Sequence, residues 1–152
     1  MLDRSKIGHV FPAFDIKLEK GLLSLFARAI GETNPIYTDE EAARGVGHSS
    51  LPMPLTYAFC LGKFISDPSD TLHLFNLDFA GVVHGEQEFH YYGFACAGDT
   101  VIGQKRVTDV YERKQGALEF IVVTTEFKDA AGSLLCEAIQ TIVVNNKNLD
   151  RK

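Results

Sequence analysis

Residues 54–65, PLTYAFCLGKFI, form a segment that is apolar almost all the way round a helical turn. Pro54 suits the first position of a helix, because its missing amide would have no partner there. A helix that is apolar on nearly every side is normally enclosed by protein. The segment therefore predicts a central helix, from Leu55 to Ile65, that the rest of the chain must cover.

The sequence after residue 80 has the alternation of β-strands. Between 82 and 91 the two predicted faces of a strand alternate; one has Val83, Gly85, Gln87, Phe89 and Tyr91, and the other has Val82, His84, Glu86, Glu88 and His90. Three longer strands are predicted beyond them: Val101 to Tyr111, Leu118 to Phe127 and Leu135 to Val144. Short glycine-containing turns join these three strands, so they form an antiparallel meander. A curved antiparallel sheet buries one apolar helix by wrapping around it, which predicts an α+β domain.

Two more helices are predicted ahead of the central one. Apolar residues at helical spacing give an amphipathic helix that ends at Gly31, with an apolar stripe of Leu22, Leu25, Phe26, Ala29 and Ile30. A fixed turn follows at Asn34-Pro35, because proline disfavours the helical conformation of the residue before it. The capping box at residues 38–41 then begins a short helix that stops at the next glycines.

The composition limits the class of protein and its partners. The chain of 152 residues is 45% hydrophobic and 23% charged, which predicts a single globular domain, 1–152. Its formal net charge of -5 and its lack of a basic cluster argue against nucleic-acid binding. No stretch approaches the ~20 apolar residues of a membrane span, and no apolar run resembles a signal peptide. Three widely spaced cysteines indicate reduced thiols, so we expect a cytoplasmic protein.

The segment 31–37, GETNPIY, resembles the signature G-D-x-N-P-x-H of the (R)-specific enoyl-CoA hydratases of the MaoC-like group. The start of the central helix, PLT at 54–56, and the later Gly98-Asp99 resemble the N-terminal dehydratase domains of the same MaoC-like type. That type includes the non-catalytic subunit of heterodimeric (3R)-hydroxyacyl-carrier-protein dehydratases, to which the chain is similar over most of its length.

The resemblance implies a hot-dog fold and a substrate that is a thioester of CoA or acyl carrier protein, handled without a cofactor. In the active relatives, an aspartate and a histidine five positions later share the acid and base work of hydration. Glu32 and Tyr37 stand at those two positions here. Glutamate is one methylene longer, and tyrosine, with an ordinary pKa of ~10, is a poor base near neutrality. The predicted catalytic dyad, Glu32 and Tyr37, is therefore degenerate.

We expect the acyl group to lie in a tunnel beside the central helix, where an apolar tail finds an apolar lining and the thioester finds fixed donors. The predicted substrate-binding residues are Asn34, Pro35, Leu55, Thr56 and Phe59. The amide of Leu55 or Thr56, at the start of the helix, is the expected donor to the thioester oxygen.

His84 is the reserve catalytic candidate, because the following Gly85 lets a ligand approach the strand closely. A strand histidine that bonds to a neighbour is the competing interpretation. The other histidines lack the spacing of metal ligands, so no metal site is predicted.

The sequence thus predicts a lyase-type hydratase or dehydratase subunit of fatty-acid metabolism, which acts on enoyl or 3-hydroxyacyl thioesters or binds them. One alternative is a hot-dog acyl-CoA thioesterase with Glu86 or Glu88 as its base, although the central helix lacks the acidic residue of such enzymes. Another is a non-catalytic module that binds acyl thioesters. The unprotected strand from Val82 to Tyr92 predicts a homodimer, or a heterodimer with another hot-dog chain, joined sheet edge to sheet edge.

Overall fold

The computed structural model describes residues 1–62, 67 and 69–146. Four α-helices are present in these residues: α1 Lys20–Ala29, α2 Glu40–Gly45, α3 Tyr57–Leu61 and α4 Asp70–Leu74. The strands are β1 Phe14–Lys17, β2 Val82–Tyr91, β3 Thr100–Arg113, β4 Leu118–Lys128 and β5 Leu134–Asn145. Short 3-10 turns lie at Arg4–Lys6, Pro35–Tyr37 and Phe79–Gly81.

The five strands form one antiparallel sheet in the order β1-β3-β4-β5-β2. The predicted meander is β3-β4-β5, and β2 returns to pair with β5 at the far side. The helices cover one face of this curved sheet, which we call the inner face. The structure is the α+β hot-dog fold that the sequence predicted.

The helix α3 packs on the inner face through Tyr57, Ala58 and Leu61, which are all buried. We call the apolar group around it the α3 cluster; its sheet members are Val101, Phe127, Leu135, Cys136 and Ala138. The predicted helix start at Leu55 was two residues too early, because Thr56 is the N-cap and helical bonding begins at Tyr57. The predicted end at Ile65 lies outside the described residues.

A second apolar group occupies the other end of the inner face. We call it the α4 cluster, because Leu72 of α4 and the following Phe75 cover its sheet members, which are Val107, Val110, Ile121, Val123, Ile142 and Val144. The short α4 helix was not predicted from the sequence. The core therefore consists of two apolar clusters on one sheet.

The buried face of α1 differs from the predicted stripe. Leu23 and Ala27 are fully buried and Phe26 is half-buried, whereas the side chains of Leu25 and Ile30 are exposed. Phe26 reaches the core by an edge-to-face contact with Tyr57, with ring centroids 5.1 Å apart. The α1 helix lies on the surface of the α3 cluster with a narrow buried edge, so most of the predicted stripe faces outward.

A β-bulge interrupts the pairing of β2 with β5 between His84 and Glu86. Gly85 is the extra residue, and a Cβ there would come within 2.5 Å of the Val143 side chain. Because the bulge shifts the alternation by one residue, His84 and Gln87 both lie on the inner face, opposite Ile142 and Gln140. The sequence pattern had assigned His84 and Gln87 to opposite faces.

Candidate functional site

The turn after α1 is held by its own polar side chains. Gly31 adopts a φ of 74°, and the Glu32 amide then donates to the Ala27 carbonyl at 2.9 Å. The Glu32 carboxylate accepts a hydrogen bond of 2.8 Å from the backbone amide of Asn34. The Asn34 carboxamide oxygen in turn accepts from the Ile36 amide at 3.2 Å, which caps the Pro35–Tyr37 turn. The side chains of Glu32 and Asn34 thus both accept hydrogen bonds from nearby backbone amides.

Tyr37 is half-buried at the end of this turn. Burial raises the pKa of the Tyr37 phenol above its ordinary value, and the nearby Glu32 carboxylate raises it further. Tyr91, at the end of β2, also has a raised pKa, caused by burial, Cys136 and Tyr37 in that order. Tyr37 therefore stays protonated near neutral pH, where it can donate a hydrogen bond but does not act as a base.

The start of α3 presents unused amides. Thr56 is the N-cap and its side chain makes no capping bond, while Leu55 before it is 45% exposed. Neither the Leu55 amide nor the Thr56 amide donates to an acceptor anywhere in the part of the chain that the structure describes. These two N–H groups are consequently free to bind a carbonyl oxygen.

A cavity of about 270 Å³ lies under α3 and α4 on the inner face of the sheet. Its described walls come from both helices and four strands: Ala58, Phe59, Gly62, Thr71, Leu72, Phe79, Val82, Val83, His84, Gln87, Lys105, Thr125, Phe127, Ala138, Gln140 and Ile142. The rings of Phe59 and His84 meet at its edge with centroids 5.4 Å apart. His84 Nε2 lies 3.0 Å from the Glu86 carbonyl oxygen. This contact matches the alternative to a catalytic role, a strand histidine that bonds to a neighbouring residue.

The predicted site residues fall into three places. Glu32, Tyr37, Asn34 and Pro35 form the turn, Leu55 and Thr56 precede α3, and only Phe59 and His84 line the cavity. Glu86 and Glu88, the carboxylates considered for a thioesterase, are exposed on β2, and Glu88 bonds to His90 at 2.8 Å. The structure therefore joins Phe59 with His84, and Glu32 with Tyr37, as two separate pairs.

The sequence interpretation missed the polar side chains of the cavity floor. Gln87, Lys105, Thr125 and Gln140 all line it, and each sits on a different strand. Lys105 forms an ion pair with Asp70 of α4 and lies 4.4 Å from the centroid of the Phe11 ring. The available signal was the alternation of β3, β4 and β5, which directs Lys105, Thr125 and Gln140 to the same face as their apolar neighbours.

The described ranges contain neither a metal-ligand cluster nor a helix suited to spanning a membrane. No group of three or more His, Cys, Asp or Glu side chains is placed to hold a metal ion there. Within the same ranges, no helix has the length and apolar character needed to cross a bilayer.

The family model described as the FAS1-like, dehydratase domain region matches residues 5–138. The UPF0336 protein of Streptomyces griseus is 31% identical over 150 residues, which cover 93% of this chain and 94% of that protein. The crystal structure of the C-terminally truncated HadBC (3R-hydroxyacyl-ACP dehydratase) complex from Mycobacterium tuberculosis is also similar. It has a TM-score of 0.77 at 25% identity, with 91% of this chain and 96% of that chain covered.

A solved MaoC-like dehydratase shares the fold with a TM-score of 0.83 at 21% identity, over 93% of this chain and 42% of its own. The resemblance to MaoC-like dehydratases, stated above on the Asn34-Pro35 turn and the start of the central helix, is confirmed by these matches. The chain belongs to the FAS1-like dehydratase domain family.

Proposed function

We propose that this chain is a hydratase or dehydratase subunit that binds an enoyl or 3-hydroxyacyl thioester of CoA or acyl carrier protein, and that a second hot-dog chain supplies the acid-base chemistry. The observation that carries this proposal is the state of Tyr37. Its phenol stands where the MaoC-like signature has histidine, and an ordinary phenol, with a pKa of ~10, is already a poor base near neutrality. Burial, and then the Glu32 carboxylate, raise the pKa of Tyr37 further.

Hydration of an enoyl thioester needs a base that takes a proton from water and an acid that protonates the α-carbon. A protonated phenol cannot take the first role. The Glu32 carboxylate keeps basic lone pairs, but one of its oxygens already accepts from the Asn34 amide. The pair therefore lacks the histidine of the family signature, the residue type that gains and loses a proton near pH 7.

Binding of the thioester by this chain is supported more strongly than acid-base catalysis by it. The free amides of Leu55 and Thr56 suit the thioester oxygen, on which negative charge develops during the reaction. The cavity walls that include Phe59 and Phe127 suit an acyl chain. Tyr37, as a donor, orients the thioester in this proposal and does not transfer its proton.

The edge strand β2 is the proposed contact with the partner. Only β5 pairs with β2 in the described sheet, so the other side of β2 is open. Val83 and Tyr91 on this strand are 63% and 40% exposed, and open strand edges favour pairing with another chain. The similar HadBC dehydratase was solved as a complex. We propose a heterodimer with a hot-dog chain that has an intact Asp and His dyad.

The test is to restore the dyad in this chain. The parent protein alone should hydrate crotonyl-CoA slowly or not at all in an assay that follows the loss of enoyl absorbance. The double variant Glu32→Asp/Tyr37→His should gain at least about 100-fold, since each acid-base group typically contributes ~100- to 10,000-fold. Tyr91→His is the matched control, because it places a histidine beside Tyr37 but outside the signature.

Robust turnover by the parent homodimer that Glu32→Gln abolishes would overturn the proposal and make Glu32 a working base. Turnover that persists in Glu32→Gln and Tyr37→Phe alike would move the chemistry elsewhere, with His84 the next residue to replace. A gain of activity on mixing the parent chain with a hot-dog chain that carries Asp-x-Asn-Pro-x-His would support the paired arrangement directly.

A further inference from the structure

Four polar side chains cross the inner face of the sheet in one row, one on each of β3, β4, β5 and β2. We call this row, Lys105, Thr125, Gln140 and Gln87, the polar belt. Lys105 lies directly opposite Thr125, and Gln140 lies directly opposite Gln87. Thr125 faces Ala138, two residues before Gln140, which is a diagonal cross-strand neighbour.

The polar belt separates the two apolar clusters of the core. On β4 it falls between Val123 of the α4 cluster and Phe127 of the α3 cluster. On β5 it falls between Ala138 and Ile142 in the same way. Polar groups on the covered face of a sheet cost free energy unless they are hydrogen-bonded, so a continuous row of them needs an explanation.

The two ends of the belt have partners within the protein. Lys105 is paired with Asp70, and their side chains are only 13% and 21% exposed. The Gln87 Nε2 donates to the Ile139 carbonyl at 3.0 Å and to the Glu88 carbonyl at 3.3 Å. These two carbonyls fix the orientation of the Gln87 side-chain amide, because both are acceptors and only its NH₂ group can donate to them. Both ends of the belt are therefore held by protein partners, while Gln87 Oε1 is buried without a hydrogen-bond partner among the described residues.

The middle of the belt has no such partners. The Thr125 hydroxyl and the Gln140 carboxamide make no hydrogen bond within the described part of the chain. Both residues are half-buried and line the cavity. Their polar atoms are not among the fully buried side-chain atoms that lack a hydrogen-bond partner. A hydroxyl and a primary amide together offer donors and acceptors. The cavity floor therefore presents unused hydrogen-bonding groups to whatever fills the cavity.

The charge at the cavity favours a neutral ligand group. Asp70 neutralises Lys105 at the end of the belt, and the two unused side chains are uncharged. A carboxylate in this cavity would compete with Asp70 for Lys105 and lose its own hydration. A hydroxyl or ketone would bond to Thr125 and Gln140 without that cost.

We propose that the cavity selects an acyl chain with a neutral oxygen substituent, a hydroxyl or a ketone, at a position beyond the carbons that react. The polar belt binds that oxygen, and the α3 and α4 clusters hold the methylene groups on either side. The thioester part of this ligand rests on the function proposed above. The cavity of about 270 Å³ has the volume of roughly nine waters of ~30 Å³ each, which suits a medium-length chain.

The experiment compares decanoyl-CoA with hydroxydecanoyl-CoAs that carry the hydroxyl at successive positions along the acyl chain. Binding to the 152-residue protein is measured by titration calorimetry. At least one hydroxylated isomer should bind about 5- to 10-fold tighter than decanoyl-CoA, the worth of a matched hydrogen bond. All of these probes share the same CoA arm, so the difference reports the acyl chain alone.

Two substitutions remove the unused groups, Thr125→Val and Gln140→Leu. Each should abolish the preference for the hydroxylated isomer, and Gln140→Leu should strengthen binding of decanoyl-CoA about threefold, because it extends the apolar wall. The matched controls are Thr124→Val and Gln104→Leu, which change the same residue types on the opposite face of the sheet. Both controls should keep the parent preference.

Decanoyl-CoA binding as tightly as every hydroxylated isomer would overturn the inference and leave the proposed function standing. A preference for one isomer that persists unchanged in Thr125→Val and Gln140→Leu would overturn it equally. Free hydroxydecanoates and decanoate form a second arm of the titration. A preference for the hydroxylated acids, with no binding of decanoyl thioesters of either CoA or acyl carrier protein, would support the inference and overturn the proposed function. If Gln140→Leu fails to fold, the smaller Thr125→Val change decides alone.

Discussion

The Glu32–Tyr37 turn and the polar belt both place polar side chains beside an apolar core, but they use them differently. In the turn, the Glu32 carboxylate and the Asn34 carboxamide each accept a hydrogen bond from a nearby backbone amide. In the belt, Thr125 and Gln140 have no partner within the described residues. The turn carries the family signature, whereas the belt carries the unused hydrogen-bonding groups.

The difference separates two roles that a polar residue near a site can have. Groups that satisfy the local backbone hold a conformation, and their loss lowers the free energy of unfolding. Groups that face a cavity without partners stabilise nothing in the empty protein, and they matter only when a ligand is present. Substitutions in the two regions should consequently have opposite effects on stability and on binding.

The largest effect on stability is expected at the end of the belt where Lys105 pairs with Asp70. The contrast between partnered and unpartnered groups fails if loss of this pair leaves stability unchanged. Asp70→Asn leaves a poorly solvated cation and should lower the free energy of unfolding by about 1–3 kcal/mol in urea denaturation. The double variant Lys105→Met/Asp70→Asn should cost less than the sum of the two single changes. Strict additivity would mean that the ion pair contributes nothing.

A smaller loss of stability is expected from substitutions in the turn. Asn34→Ala removes the acceptor that caps the Pro35–Tyr37 turn and should lower the free energy of unfolding by about 1 kcal/mol. Asn34→Asp keeps an acceptor oxygen and should stay within about 0.5 kcal/mol of the parent. Equal stabilities of the alanine and aspartate variants would remove the distinction between the turn and the belt.

The smallest effect, with the opposite sign for one variant, is expected in the middle of the belt. Without ligand, Thr125→Val should change the free energy of unfolding by less than about 0.5 kcal/mol, and Gln140→Leu should raise it by about 0.5–1 kcal/mol. Thermal unfolding of both variants beside the parent measures this. A loss above ~1 kcal/mol in either would show that the residue has a structural partner, and would narrow the contrast with Asn34.

Much of the fold followed from local patterns. The strands β3, β4 and β5, the turns between them and the burial of Tyr57 and Leu61 were all visible as alternation and as a continuous apolar run. The short strand β1 was not, because four residues carry too little pattern. Its Phe14 ring packs over Gly103, where a Cβ would come within 2.3 Å of the ring, and that contact between distant residues leaves no local trace.

The site was less accessible from the sequence than the fold. The signature at Glu32 and Tyr37 could be compared with a family pattern, but the bulge at Gly85 reversed the alternation that assigned His84 and Gln87 to opposite faces. Thr125 and Gln140 look like ordinary polar positions of a half-exposed strand. Only the register across β3, β4, β5 and β2 shows that they join Lys105 in one row.

Each of β3, β4 and β5 contributes side chains to both apolar clusters, so the sheet must come apart as one cooperative unit. The helices differ, because α3 covers one cluster and α4 covers the other. Helices of five residues are not stable by themselves, and such elements can detach in local opening events while the sheet stays intact. Since Thr71 and Leu72 of α4 form part of the cavity wall, detachment of α4 alone would widen the cavity above the polar belt at a fraction of the free energy of global unfolding.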